Sequence, residues 1–289
     1  MTTRPVKPRR SVLYMPGTNT RALDKARELP ADAVIFDLED AVAPEAKSEA
    51  RDNIVTALDT ADYGEREVVV RVNGSDTPWA EDDLAAVAGS GADAVLLPKV
   101  ESPDTIRQAL DRLKQGGAGE DTALWIMAET PRGVLDLEQI VADQPRLQAV
   151  VMGTSDLAQD LRVSPLGQRL GLLHPLGHSV LTARAYGLDI IDGVHLALDD
   201  TEGFRLACEQ GRELGFDGKS LIHPRQIDTA NACFGVTDAE AELAREIVTA
   251  WQAARAEERG LTVVRGQLIE QLHVDDAQRV IALYEATRT

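Results

Sequence analysis

Short apolar runs rich in Val, Ile and Leu recur through the first three quarters of the chain. Most of them lack the alternation of polar and apolar residues that marks a strand with one face in water. Continuous apolar runs of this length are typical of parallel strands buried on both faces. We therefore predict eight parallel strands, at residues 11–15, 33–37, 68–72, 94–98, 123–128, 149–153, 189–193 and 218–222.

Stretches with helical patterns separate these runs, and Gly or Pro stands at many of the junctions. The predicted helices lie at residues 19–28, 43–58, 80–88, 103–114, 135–141, 178–186 and 201–213. The alternation of strands and helices predicts an α/β fold, and the count of eight strands predicts a (β/α)8 TIM barrel. An open doubly wound sheet is the alternative. The strand count and the lack of a GxGxxG motif after the first predicted strand weigh against it.

The pattern changes after Pro224. Thr237 and Glu240 have the spacing of a capping box at the start of a helix. That helix has an apolar face, formed by Leu243, Ile247, Trp251 and Ala254. A loop with a short apolar piece at 261–264 follows, and then a last helix at 276–287. We therefore predict two domains, a barrel at 1–235 and a C-terminal helical extension at 236–289.

Composition narrows the classes of partner. A net charge of −18 over 289 residues argues against binding of a nucleic-acid backbone across a broad surface. No long apolar stretch follows the basic N-terminus, so we predict neither a signal peptide nor a membrane span. The two cysteines are well separated, which favours reduced thiols in the cytoplasm. A phosphorylated ligand could still be held by local basic residues, although a solvated tail is the commoner outcome for Arg4, Lys7, Arg9 and Arg10.

Charged and polar residues follow most of the predicted strands, and in a barrel all of these strand ends meet at one rim, where barrel enzymes hold their active sites. Glu129 follows the fifth strand and Asp156 follows the sixth. Their carboxylates could bind one Mg²⁺ with water and substrate oxygens as further ligands. The alternative is that one or both carboxylates cap a helix or form a salt bridge.

Arg71 lies near the end of an apolar strand, in VVVRVNG, where its charge must be satisfied. A guanidinium group suits a substrate carboxylate. An internal ion pair with Glu39 or Asp40 is the alternative, and both states are compatible if the substrate is absent. We expect Glu39 and Asp40 to lie around the metal site, where they would orient water or meet Arg71 or Lys47.

Other chemistries have weaker support. Lys99 and Lys219 would permit a Schiff-base aldolase only if one of them were desolvated. His174 and His178 are four residues apart, but Pro175 and Gly177 make a regular helical turn between them doubtful. The sequence contains no GxSxG nucleophile motif.

Eight segments of the chain, taken in order, carry a resemblance to a known family. They are RRSVLYMPGTN, FDLEDAVAPEAK, VVVRVNG, LLPKV, IMAETPRGV, VVMGTSDLAQDL, GLDIIDGV and LGFDGKSLIHPRQI. As a set they resemble the citrate lyase beta-subunit-like family of the phosphoenolpyruvate/pyruvate barrel superfamily. The resemblance implies a (β/α)8 barrel assembled as a homo-oligomer, a trimer or hexamer. It also implies Mg²⁺ as cofactor and a CoA or acyl-carrier thioester as substrate.

The resemblance also assigns roles to residues. It implies Mg²⁺ ligands at Glu129 and Asp156, a carboxylate-binding arginine at Arg71, and backbone amides near Gly153, Ser155 and Asp156 that bind the 2-oxo acid. Where the family has an acid/base Asp in a GxMID segment that reaches a neighbouring subunit's site, this chain has GQLIE, ending at Glu270.

A glutamate places the carboxylate one methylene further out, and a misplacement on that scale can change rates strongly. The predicted reaction is Mg²⁺-dependent C–C cleavage of a malyl-, citramalyl- or citryl-type β-hydroxyacyl thioester to a 2-oxo acid and a shorter acyl thioester. The alternatives are thioester hydrolysis, as in a malyl-CoA thioesterase, and a role as the beta subunit of a citrate lyase that needs an acyl-carrier partner.

Overall fold

Eight parallel strands form a closed barrel in the computed structural model, which describes residues 6–119 and 122–288. Each strand pairs with the next along the chain, and the first pairs with the eighth. The strands are β1 (Ser11–Pro16), β2 (Ala33–Asp37), β3 (Glu67–Arg71), β4 (Ala94–Leu97), β5 (Ala123–Ala128), β6 (Leu147–Met152), β7 (Asp189–Asp192) and β8 (Gly218–Leu221). The predicted (β/α)8 TIM barrel is thereby confirmed.

Helices separate the strands. They are α1 (Thr20–Lys25), α2 (Lys47–Thr60), α3 (Ala80–Val87), α4 (Pro103–Gln115), α5 (Pro131–Leu135), α6 (Leu137–Val141), α7 (Thr154–Leu161), α8 (Leu173–Ala185), α9 (Thr201–Leu214) and α10 (Ile227–Phe234). The doubt about a helical turn at Pro175 was wrong, since α8 begins at Leu173. Pro175 occupies the first turn, where a backbone N–H has no partner within the helix. In the described ranges, no helix has the length and apolarity needed to cross a membrane.

Alternate residues of the strands fill the barrel interior. Trp125 on β5 is the largest side chain there and is fully buried. It packs with small and branched residues of the other strands, including Val12, Ile35, Val69, Leu96, Val151 and Ile191. Such packing makes the barrel a filled core rather than a pore.

Arg9 closes the N-terminal end of this core. Its Nε and Nη2 donate to the two carboxylate oxygens of Glu67, at 2.7 and 2.8 Å, and its Nη1 pairs with Asp189. The guanidinium also lies 4.9 Å from the ring centroid of Trp125. Arg10 pairs with Asp32 at 2.7 Å. The idea that these two arginines belong to a solvated or phosphate-binding tail was therefore wrong, while Arg4 lies outside the described residues.

Asp192 and Lys219 come from β7 and β8 but face away from the interior. Ile191, the residue before Asp192, belongs to the interior cluster, and Ser220, the residue after Lys219, stands opposite Val12 of that cluster in the strand register. Because successive side chains of a strand alternate between its two faces, Asp192 and Lys219 face outward. Asp192 is fully buried and accepts from Lys219 Nζ at 2.7 Å. Arg169, from the connection between α7 and α8, donates to both oxygens of Asp192 at 2.8 and 2.9 Å. Asp192 therefore ties the outer layer of the barrel together and does not join the rim site.

The described chain divides into two compact units, of which Arg9–Cys233 is the barrel. The other contains the segment from Phe234 onward together with the residues before Arg9. Its helices are α11 (Asp238–Ala256) and α12 (Gln271–Ala286). The predicted capping box is confirmed, because Thr237 Oγ1 accepts from Glu240 N at 3.2 Å and Thr237 N donates to Glu240 Oε2 at 2.7 Å.

Between α11 and α12 the chain forms a hairpin of two short antiparallel strands, β9 (Thr262–Val264) and β10 (Gln267–Ile269). The prediction of a loop here was wrong. Arg265 and Gly266 turn the hairpin with positive φ angles of 49° and 83°, a conformation that is typical of a tight two-residue turn. Trp251 of α11 packs against Val264, Ile269 and Val274, which gives this unit its own small core.

Candidate active site at the C-terminal mouth of the barrel

The side chains predicted for the rim converge at the C-terminal mouth of the barrel. Asp37 and Arg71 are the last residues of β2 and β3 and stand opposite each other in the strand register. Glu129 directly follows β5, and Gly153 directly follows β6. Tyr14 of β1 and Met127 of β5 lie in the interior just below them. The mouth thus combines the carboxylates of Asp37 and Glu129 with the buried guanidinium of Arg71.

Arg71 is held by two carboxylates. Its Nε and Nη2 donate to Asp37 at 2.7 and 2.6 Å, and its Nη1 lies 2.8 Å from Glu39. Only 7% of Arg71 is exposed. Asp40, at 3.8 Å, is a more distant partner. The ion pair expected with Glu39 is confirmed, but the main partner, Asp37, was not anticipated.

The acidic loop after β2 is shaped by its own hydrogen bonds. Asp37 accepts from the backbone N–H groups of Glu39 and Ala41, at 2.9 and 3.2 Å. Lys47 is buried and donates to the carbonyl oxygens of Leu38 and Glu39, both at 2.8 Å. Lys47 therefore contacts the backbone of the loop rather than its carboxylates. These contacts fix the position from which Glu39 meets Arg71.

Glu129 is a buried carboxylate in a crowded negative region. Only 1% of it is exposed, and its Oε1 accepts from the backbone N–H of Lys99 at 2.7 Å. Burial raises the pKa of Glu129 to about 8, and the charges of Glu39 and Asp156 act in the same direction. The N–H of Lys99 and the charge of Arg71 oppose that rise. Glu129 would thus gain from a neighbouring cation.

Lys99 adopts a left-handed backbone conformation, with φ of 50°. That conformation is uncommon for a residue with a side chain. It aims the N–H at Glu129 while Nζ lies 2.6 Å from Glu39. A Schiff-base role finds no support in its surroundings, since Glu39 stabilises the charged form and the net effect is a raised pKa for Lys99. Lys219 faces the outer layer, away from the mouth.

Ser155 and Asp156 lie in the first turn of α7, and both are half-buried. Asp156 is close enough to Glu129 to raise its pKa. Two carboxylates with room for water and substrate oxygens form a donor set that suits Mg²⁺. No group of three or more His, Cys, Asp or Glu side chains within residues 6–119 and 122–288 could hold a metal by itself. Glu129 and Asp156 could therefore hold Mg²⁺ only with oxygen ligands from elsewhere.

Glu270 belongs to the second compact unit. It is exposed and precedes α12, where its backbone N–H donates to His273 Nδ1 at 3.1 Å. His174 and His178 stack with ring centroids 6.2 Å apart. Their helix, α8, lies outside the strands that form the mouth. The described mouth is thus built from carboxylates, Arg71, Lys99 and Tyr14.

A closed parallel barrel with carboxylates and a buried arginine at its C-terminal mouth has the architecture of a barrel enzyme, in which the active site lies at that face. The chain belongs to the HpcH/HpaI aldolase/citrate lyase family, whose sequence model matches residues 10–224. It is therefore an enzyme of a carbon–carbon lyase family, and the resemblance seen in its motifs is confirmed.

Individual relatives differ in their named reactions. A (3S)-malyl-CoA thioesterase of Cereibacter sphaeroides is 48% identical over 279 residues, which cover 96% of this chain and 95% of that protein. An L-malyl-CoA/beta-methylmalyl-CoA lyase of the same species is 33% identical, over 96% and 95% of the two chains. The solved structure of CitE from Mycobacterium tuberculosis, in complex with magnesium, acetoacetate and coenzyme A, aligns with a TM-score of 0.74 at 28% identity. That alignment covers 95% of this chain and 97% of CitE.

Proposed function

We propose that this protein is a Mg²⁺-dependent enzyme of malyl-type CoA thioesters, with hydrolysis to malate and free CoA as its main reaction. The observation that carries the choice is the 48% identity, over nearly the whole of both chains, to a (3S)-malyl-CoA thioesterase. The lyase relative named above is only 33% identical over a comparable length. The higher identity to the thioesterase therefore favours hydrolysis, whereas the sequence motifs alone favour C–C cleavage.

Reversible C–C cleavage to glyoxylate and acetyl-CoA is the second candidate. It is supported by the family to which the chain belongs and by its lyase relatives. Glu270 stands against it, because cleavage requires an acid that protonates the acetyl-CoA enolate, and this chain has a longer side chain where the family has Asp. A citrate lyase beta subunit acting on a carrier-bound acyl group is supported by a relative of that name at 34% identity.

In this proposal Glu129 and Asp156 hold the Mg²⁺ ion. Support comes from the buried, negatively crowded Glu129 and from the magnesium complex of CitE. When bound, the ion supplies Lewis-acid polarisation and neutralises charge on substrate oxygens. Glu39 and Asp40 border the ion site and orient water there. Ser155 and Asp156, in the first turn of α7, supply backbone N–H groups to the acid end of the substrate. The N–H of Gly153 is not available for that role, because it donates to the carbonyl oxygen of Ala128 at 3.1 Å.

Arg71 binds the carboxylate of the malyl group. Nη2 keeps one N–H beyond its bond to Asp37, and the second N–H of Nη1 is engaged by the thioether of Met127, a weak acceptor. The guanidinium can therefore still donate to a ligand. Glu270 is proposed to act on a neighbouring subunit's site within a trimer or hexamer, where in hydrolysis it would protonate the leaving thiolate rather than an enolate carbon. A cytoplasmic setting is also part of the proposal, supported by the free thiols Cys208 and Cys233.

The deciding experiment incubates the purified protein with malyl-CoA or citramalyl-CoA, with Mg²⁺ or with EDTA, and follows all products by mass spectrometry. We expect Mg²⁺-dependent release of free CoA together with malate. Glyoxylate and acetyl-CoA from malyl-CoA would instead establish the lyase. Turnover only of an acyl group on a carrier protein would replace both with the citrate lyase role.

Asp156→Ala should abolish turnover, because one of the two ligand carboxylates is lost. Asp160→Ala, on the exposed side of the same helix α7, is the matched control and should retain it. Full activity in Asp156→Ala would contradict the metal assignment.

A further inference from the structure

Tyr14 lies at the mouth of the barrel and is given no role by the proposed reaction. It is on β1, packs against the interior cluster of the barrel and is half-buried. The guanidinium of Arg71 lies 4.8 Å from the centroid of its ring. The phenol is therefore fixed next to the arginine proposed to bind the substrate.

The hydroxyl of Tyr14 reaches across the interior to the opposite wall. Its one hydrogen-bond partner among the described residues is the thioether sulfur of Met127 on β5, at 3.8 Å. Arg71 Nη1 lies 3.7 Å from the same sulfur. Met127 is two residues before Glu129, so the hydroxyl sits just below the proposed metal ligand. The hydroxyl is thus near enough to the Arg71 guanidinium and the Glu129 carboxylate for both charges to act on it.

The bond to Met127 leaves the hydroxyl available to a ligand. A thioether is a weak acceptor, so an oxygen that offers a better bond would displace it readily. Arg71 and Lys99 differ in this respect, because each is already bound to carboxylates. Burial raises the pKa of Tyr14 above its ordinary value, against the opposing charge of Arg71. The phenol is therefore a neutral donor throughout the neutral pH range.

Both candidate reactions place negative charge on the same atom. In hydrolysis, water attacks the thioester carbon, the carbonyl oxygen becomes an oxyanion, and the C–S bond then breaks to release thiol and acid. In C–C cleavage, the β-hydroxyl loses its proton and the C–C bond breaks. The alkoxide oxygen becomes the carbonyl of glyoxylate, and the electron pair of the broken C–C bond forms the enolate, whose charge lies largely on the thioester oxygen. A proton then adds to the enolate carbon to give acetyl-CoA. A fixed neutral donor aimed at that oxygen stabilises either transition state.

We propose that the Tyr14 hydroxyl is a catalytic hydrogen-bond donor to the thioester carbonyl oxygen. This inference rests on the proposed function, since it needs a thioester substrate, but it holds for hydrolysis and for cleavage alike.

The test compares Tyr14→Phe with the unaltered protein on malyl-CoA and Mg²⁺. Phenylalanine keeps the ring that packs against Arg71 and removes only the hydroxyl. We expect kcat to fall about 100-fold, the usual effect of losing one oxyanion donor. KM should change by less than about threefold, because the bond strengthens mainly in the transition state. The melting temperature and the affinity for Mn²⁺ should be unchanged.

Met127→Leu is the matched variant, because it removes the same hydrogen bond from its other end and leaves the hydroxyl in place. It should retain most of kcat. Equal losses in Met127→Leu and Tyr14→Phe would overturn the proposal and reduce Tyr14 to a packing role. Tyr63→Phe, whose hydroxyl donates to the carbonyl of Leu23 away from the mouth, controls for loss of a phenol in general.

A wild-type kcat in Tyr14→Phe would also overturn the proposal while leaving the proposed function standing. Failure of the unaltered protein to turn over malyl-CoA would instead overturn the proposed function, and with it the role of Tyr14 in that reaction.

Discussion

Glu129 and Gly153 lie so close together that the site depends on the absence of a side chain at 153. A Cβ atom at that position would come within 2.2 Å of Glu129 Cβ and 2.5 Å of its Oε2. The backbone of Gly153 has a φ of −89°, which any residue can adopt. The reason for glycine here is therefore the approach of the carboxylate and not backbone freedom.

Gly153→Ala should consequently damage the proposed metal site while the backbone conformation stays accessible. The methyl group would push Glu129 out of line with Asp156, and we expect affinity for Mn²⁺ or Mg²⁺ to fall at least about tenfold, with a matching loss of turnover. Isothermal titration with Mn²⁺ measures this directly. Gly177→Ala is the control, because nothing lies within 4 Å of a Cβ there and α8 should tolerate it or gain stability. Unchanged affinity in Gly153→Ala would contradict the placement of the ion at Glu129.

At the scale of elements, the barrel was predictable because parallel strands buried on both faces are continuous apolar runs. The strands β2 and β5 match the predicted residues 33–37 and 123–128 fully. Such runs do not predict which side chains point into the barrel and which point outward toward the helices, since both faces of the strands are apolar. Asp192, near the end of the predicted seventh strand, and Lys219 in the eighth both face outward and pair with each other there.

Register explains a second gap between prediction and structure. Asp37 meets Arg71 because β2 and β3 pair so that their last residues stand opposite each other. Nothing within either segment alone encodes that alignment. The short strands β9 and β10 were missed because three residues are too few to show a period, although Gly266 marks the turn between them.

The capping box of α11 offers a test at this scale. Thr237→Ala removes a side-chain oxygen that accepts from Glu240 N, and we expect the free energy of unfolding to drop by about 1 kcal/mol. Urea titration, with hydrogen exchange along α11, measures the loss. Ser102→Ala is matched to it, since Ser102 precedes α4 but makes no side-chain capping bond. The cap assignment is wrong if both variants lose the same amount.

At the scale of the whole molecule, charge is distributed unevenly between surface and interior. The chain carries a net charge of −18, yet the cluster of Arg169, Asp192 and Lys219 buries two cations around one carboxylate. Burial acts to raise the pKa of Asp192, but the attraction of Lys219 and Arg169 is stronger and holds that pKa below its ordinary value of 3.8. This cluster joins β7, β8 and the connection before α8 through direct ion pairs.

The lowered pKa of Asp192 makes the stability of the folded protein depend on pH. A carboxyl group with a lowered pKa in the folded state contributes stability above its unfolded pKa and loses that contribution as the pH falls through the folded value. Asp192→Asn should therefore lower the free energy of unfolding at pH 7 by about 3–5 kcal/mol, because two buried cations lose their partner. The difference from the unaltered protein should shrink below about pH 4. Denaturant titrations at pH 7 and pH 3 give both values.

Glu202→Gln serves as the control for that experiment. It breaks an exposed pair with Arg205, in which the two side chains are 66% and 45% exposed, and should leave the free energy of unfolding almost unchanged because solvent screens the pair. An Asp192→Asn protein with unchanged stability at pH 7 would show that the buried cluster contributes nothing net.

Asp37 orders Arg71 before any ligand arrives. An arginine side chain carries about 2 kcal/mol of rotamer entropy. Here that ordering occurs as the barrel folds, since the partners of Arg71 are themselves set by strand register and by Lys47. Affinity for the acid that we propose to bind at Arg71 and the stability of the loop after β2 thus become linked quantities. A change that loosens the loop would weaken binding as a loss of entropy, without removing a single contact to the acid.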